Sequence, residues 1–253
     1  MKKLILLLLL ASGTATAQDG LSDTATVNPI VRKFIAAIKH HDTNKIARMM
    51  SYPFDREYPI PGISNRKELG KRYKEVFDEK LVKLISNSDI NKDWGPVGWR
   101  GIMLLNGDVW LGYDGRLLAV NYQSEVEKNS RKNIIEQEKN SLHASLRQYA
   151  EPVHILETKK YRIRIDKQTN GKYRYASWPI TAKMSDQPEL VINNGEIEFD
   201  GSGGNHSYTF TNNGYSYTCY IEMMGSSKNV PATLHVMKGT KKLLTQKAVI
   251  VKK

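Results

Sequence analysis

Apolar residues recur at helical spacing over the first third of the chain and then switch to strict alternation. Ile30, Val31, Phe34, Ile35 and Ile38 form one stripe and predict a helix over 28–41. Asp42 and Thr43 interrupt it, and Thr43 is placed to cap a second short helix carrying Ile46, Ala47, Met49 and Met50. Pro53, Pro59 and Pro61 forbid helix and predict an extended, rigid connection over 52–62. Asn65, with Glu68 three residues on, makes a variant capping box. Leu69, Tyr73, Val76, Phe77, Leu81, Leu84 and Ile85 then step by three or four, predicting a long helix or a bent pair that ends near Ser86.

From Val97 the period becomes two. Asn106-Gly107 and Asp114-Gly115 separate three candidate strands, Val97–Leu105, Asp108–Tyr113 and Arg116–Tyr122, and both dipeptides suit type I′ turns. Ile134, Ile135, Glu138, Leu142, Leu146 and Tyr149 return to helical spacing over 127–149, and Pro152 stops that helix. Everything after it reads as short strands, with turns at Asn170-Gly171, Asn194-Gly195, Asn213-Gly214 and Lys238-Gly239. The pattern therefore predicts an α+β chain. A helix-backed curved antiparallel sheet comes first, about residues 24–125. A connecting helix follows at 126–149, and an all-β antiparallel sandwich or small barrel occupies 150–253.

Composition narrows the classes. With 253 residues, 40% hydrophobic and 25% charged, the chain is neither collagen-like nor extensively disordered. Its single cysteine, Cys219, excludes a disulfide scaffold, and an alternating setting reads it as a buried apolar side chain rather than a catalytic thiol. Lys2 and Lys3, the apolar run Leu4–Ala11 and the small residues up to Ala17 read as a secretory signal peptide cleaved after Ala17. That predicts a periplasmic or secreted product with no integral membrane segment after cleavage. The formal charge of +12 favours anionic partners. The basic residues are scattered, however, and export disfavours nucleic acid.

The order helix, short helix, proline-rich segment, long helix and hydrophobic meander resembles the nuclear transport factor 2-like superfamily over about residues 27–124. The stretch from Trp94 to Trp110, WGPVGWRGIMLLNGDVW, looks like the meander of exported bacterial members. The resemblance implies a cystatin-like cone with a concave sheet and a pocket. The superfamily holds isomerases, dehydratases, cyclases and non-catalytic binding modules, and it shares no catalytic motif.

Four groups of residues are candidates for chemistry. Tyr52, Trp99, Arg100 and Trp110 would line the cone pocket, with Arg100 holding a carboxylate or phosphate. Asp55 and Glu57, on the proline-stiffened segment, would supply a general base if the cone were an enzyme. Gly203, Gly204, Asn205 and His206 form a glycine-rich loop that lets a partner approach the backbone closely. Glu196, Glu198 and Asp200 share one strand face and read as solvated rather than as a calcium site. The histidines show no ligand spacing, so no metal and no cofactor is expected. The expected function is non-catalytic binding of an envelope protein or glycan. The alternatives are an isomerase-, dehydratase- or cyclase-type enzyme in the cone and an inhibitor of a lytic enzyme. The β part lacks the cysteine pair that many periplasmic lysozyme inhibitors carry.

Overall fold

The computed structural model of the protein describes residues 24–201, 203–223 and 231–252. The signal-peptide reading of residues 1–17 lies outside them. The chain forms two units: residues up to Tyr52 together with Asn65–Tyr122, and Pro53–Ser64 together with Gln123 onward. The proline-rich segment thus groups with the strand-rich half rather than with the sequence around it.

In the first unit, α1 (Thr24–Lys39) starts four residues earlier than expected and buries Val31, Phe34, Ile35 and Ile38 of the predicted stripe, with Val27 buried in addition and Ile30 only half-buried. The cap of α2 (Thr43–Met49) is Asp42 rather than Thr43; its carboxylate accepts from the Lys45 amide at 2.9 Å. Asn65 caps α3 (Arg66–Val76) by accepting from Glu68 N. The long helix breaks at Phe77, and Asp78 caps a separate α4 (Glu79–Asn87). Four short strands follow: β1 (Trp94–Pro96), β2 (Ile102–Leu104), β3 (Val109–Leu111) and β4 (Leu117–Val120). They pair antiparallel in chain order. Neither hairpin is type I′. Leu105 and Gly107 take positive φ around Asn106, and at Asp114-Gly115 only the glycine does.

The second unit holds α5 (Glu125–Ser141), capped by Ser124, and eight strands: β5 (Glu151–Thr158), β6 (Tyr161–Lys167), β7 (Tyr173–Pro179), β8 (Leu190–Asp200), β9 (Asn205–Asn212), β10 (Tyr215–Ile221), β11 (Ala232–Lys238) and β12 (Lys241–Lys252). Each pairs antiparallel with the next, and β12 returns to β5 through Ala248↔Thr158, Val249↔Glu157 and Ile250↔Leu156. The result is a closed barrel. This overturns the expected cone followed by a sandwich or small barrel: among the described residues there are five α-helices, a four-stranded sheet and a closed eight-stranded barrel. Closure removes both sheet edges, so no second sheet is needed to cover an apolar face.

Closure depends on a strand that the dipeptide rule splits in two. Asn194-Gly195 is no turn. It is a bulge inside an eleven-residue β8, with Asn194 at φ 61° and the β7 register shifting there. Gly195 also makes room: a Cβ there would lie 2.2 Å from the Phe210 ring, which fills the barrel core.

The outer wall of β6 and β7 is covered rather than solvated. Ala176 and Trp178 pack with Ile135, Leu142, Leu146 and Tyr149 from α5 and the segment after it. Between these apolar groups lies a ladder of charges. Arg164 pairs with Glu138 at 2.9 Å and with Asp166 at 2.7 Å, and Asp166 pairs with Arg174 at 2.6 Å. The Tyr58 hydroxyl donates to the same Glu138 oxygen at 2.7 Å, joining the 53–64 segment to the ladder. Burial by itself would lower the Arg164 pKa; Asp166 and then Glu138 reverse this and hold it above the usual guanidinium value.

Gly195→Ala is expected to cost about 1–3 kcal/mol through overpacking against Phe210, read as a lower urea midpoint at unchanged slope. Gly70→Ala, on α3 with nothing within 4 Å of its Cβ position, serves as the control and should be neutral or stabilising. A neutral Gly195→Ala would contradict the packing described.

Candidate functional site

Strand direction brings particular side chains to one end of the barrel. β5, β7 and β9 begin there, while β6, β8 and β10 end there. Inward alternation on β9 places His206, Tyr208 and Phe210 on one face, and His206 and Tyr208 line a cleft of ≈ 440 Å³. Tyr173 at the start of β7, Ile197 and Phe199 on β8, and His154 on β5 complete its floor. A register shift between Pro152 and His154 sits beside them.

The rings form a connected cluster. His154 stacks on His206 with centroids 6.0 Å apart, and both meet Tyr208 edge-on at 5.6 and 5.3 Å. Tyr173 lies 4.9 Å from Tyr208, and Phe199 lies 5.6 Å from His206. Phe199 is 64% exposed, so the cluster runs from the core to the surface. His206 Nδ1 is 2.7 Å from the Gly204 carbonyl oxygen. A carbonyl only accepts, so Nδ1 carries a proton, and in the neutral ring Nε2 is the acceptor. Burial first, then Tyr173 and Cys219, raise the pKa of Tyr208, so its hydroxyl stays neutral.

The rim is charged. Arg131 donates to the Tyr58 carbonyl at 2.9 Å and lies 3.3 Å from both Glu57 and Glu151. Glu57 also accepts from the Gln123 amide at 2.7 Å, and Lys167 borders the cleft. Beside this rim, Arg56 forms a buried two-point ion pair with Glu127, Nε to Oε1 at 2.7 Å and Nη2 to Oε2. That pair fixes the 53–64 segment on the first turn of α5.

The sequence-predicted residues fall in different places. Gly203 and Gly204 lie in the β8–β9 connection, while Asn205 and His206 open β9: Asn205 accepts from the Met223 amide at 2.9 Å, and only His206 of the four lines the cleft. Glu57 lies on the cleft rim, and Asp55 is an exposed neighbour on the same segment. The expected cone pocket is not built as predicted. Gly98 and Gly101, both at positive φ, take the chain out of the sheet into a 3₁₀ turn at Gly98–Arg100. Arg100 is exposed there and Trp99 is 65% exposed, so neither lines an enclosed cavity. Trp110 is half-buried on β3, and the Tyr52 hydroxyl donates to the Ala47 carbonyl at 3.1 Å. Glu196, Glu198 and Asp200 are exposed, with Glu196 paired to Lys172. Sequence reasoning missed His154, Tyr173 and Tyr208. Alternation running on from His206 points to Tyr208 alone, since His154 and Tyr173 lie on other strands.

No family model matches the chain, and neither the curated proteins nor the solved structures compared with it include a match.

Cys219 lies fully buried beneath this floor, and burial pushes its thiol up from 9.0 to about 12. Between those values the unfolded chain releases a proton that the folded chain keeps, so stability falls as pH rises across that window. A thiol reagent at about pH 8 should leave folded Cys219 unmodified and label it fully in denaturant. Cys219→Ala should make the alkaline loss shallower. Rapid labelling of the folded chain would contradict this placement.

Proposed function

We propose that this chain is an exported, non-catalytic binding protein whose barrel takes a glycan of the cell envelope at the mouth floored by His154, His206, Tyr173, Tyr208 and Phe199. The connected cluster of rings carries this reading. Ring faces and edges suit the C–H faces of sugars, and the histidine and tyrosine polar atoms suit their hydroxyls. The cleft's size supports a small ligand or the end of a chain. Arg131 is already engaged by two carboxylates, so stacking rather than charge would dominate affinity. A second reading, an envelope protein as partner, is favoured by the exposure of Phe199 and Met223 at this mouth.

The full chain would be titrated with soluble oligosaccharides, N-acetylated and plain, by heteronuclear shift mapping. Binding should perturb His206, Tyr173 and Tyr208. Phe199→Ala should weaken it by about tenfold or more, and about 0.5 M salt should change it little. Absence of binding across the panel, or a steep salt dependence, would overturn the glycan reading. Capture of a protein that Phe199→Ala abolishes would favour the second.

A further inference from the structure

The opposite end of the barrel holds a second cleft, of ≈ 410 Å³, on which the reading above makes no demand. Its walls come from Tyr161 on β6, Tyr175 on β7, Tyr217 on β10, and Leu190 and Leu234, with Glu189 at the edge. We propose that this cleft is a separate binding site for a small organic ammonium ion with an apolar body.

Three features carry the assignment. First, the walls are aromatic and aliphatic, and the volume lies within the range of small-molecule sites. Tyr175 and Tyr217 lie 5.7 Å apart with their rings inclined at 41°, two non-parallel π surfaces bordering one space. Second, the charge pattern selects a sign. Glu189 is the one charged residue among those lining the cleft, and it is exposed. The tyrosine rings add the negative faces of their quadrupoles. Burial first, with Cys219, Tyr217 and Tyr161 adding to it, keeps the Tyr175 hydroxyl neutral. An anion would meet no cation among these lining residues, whereas a cation would meet a carboxylate and aromatic rings. Third, tyrosine at this end already receives an ammonium: Lys238 Nζ sits 5.1 Å from the ring centroid of Tyr215, two residues before Tyr217 on β10. An alkylammonium or aromatic ammonium ion fits that chemistry, its charge near Glu189 and a tyrosine face and its body against Leu190 and Leu234.

The full-length chain would be titrated with benzyltrimethylammonium and with neopentylbenzene, which has the same shape with carbon in place of nitrogen, and followed by shift mapping. The ammonium should bind at least about tenfold more tightly than the neutral compound and should perturb Tyr161, Tyr175 and Tyr217. Tyr217→Phe, which keeps the ring, should retain binding, whereas Tyr217→Leu and Glu189→Gln should each weaken it. Phe199→Ala, at the other mouth, should leave it unchanged. Equal affinity for the two compounds, no binding of the ammonium, or loss of binding in Phe199→Ala would overturn the proposal. Thermal midpoints of all variants, compared with the parent, separate a lost site from a lost fold.

Discussion

Four buried charges of alternating sign hold the barrel unit together: Glu138 on α5, Arg164 and Asp166 on β6, and Arg174 on β7. Arg164 and Asp166 have no exposed surface. Desolvating such ions costs several kcal/mol each, so each is tolerable only with its neighbour in place. The chain of contacts begins outside the barrel, at the Tyr58 hydroxyl, and ends where Arg174 donates to the Leu146 and Gln148 carbonyls. It therefore ties a loop, a helix and the segment after that helix to two adjacent strands. Tyr149 adds a ring face 4.9 Å from the Arg164 guanidinium carbon. Arg56 and Glu127 repeat the device at the start of α5.

This arrangement decides what the barrel can present. With the outer face of β6 and β7 sealed under α5, the described unit offers its concave space at the two mouths. Phe210, Leu156, Ile163 and Cys219 fill the barrel between them. The two mouths then differ by which inward residues alternation delivers. One receives histidines and tyrosines beneath a charged rim, and the other receives tyrosines and leucines beside one carboxylate. The tethered 53–64 segment contributes Glu57 and Tyr58 to the first mouth alone.

Much of the local structure is legible in the sequence. Most of the α1 stripe and the Asn65 cap follow from spacing and cap chemistry, whereas the meander expected as three strands with type I′ turns has four strands and neither turn of that type. Misreadings arise where glycine does something other than turn a hairpin. Gly195 sits in a bulge and clears space for Phe210, and Gly98 and Gly101 lift Arg100 out of its sheet. Barrel closure is illegible locally because β12 meets β5 across nearly the whole length of the unit. The ladder is illegible for a different reason. Arg162, Arg164 and Asp166 alternate with Tyr161, Ile163 and Ile165, the pattern of a strand with one face in water. Only the partner on α5 reveals that this face is buried. The cleft residues share that difficulty: His154, Tyr173 and Tyr208 lie on three strands and converge only once the barrel closes.

A double-mutant cycle on Glu138 and Arg164, read by chemical denaturation of the full chain, addresses the ladder directly. Glu138→Leu and Arg164→Met should each cost about 3–5 kcal/mol, because the first leaves two buried cations sharing Asp166 and the second leaves Glu138 without its cation. The double variant should be more stable than the two losses summed, by well over about 0.5 kcal/mol. Losses that simply add within that margin, or a neutral single variant, would show that the helix is fastened to the barrel by apolar packing alone.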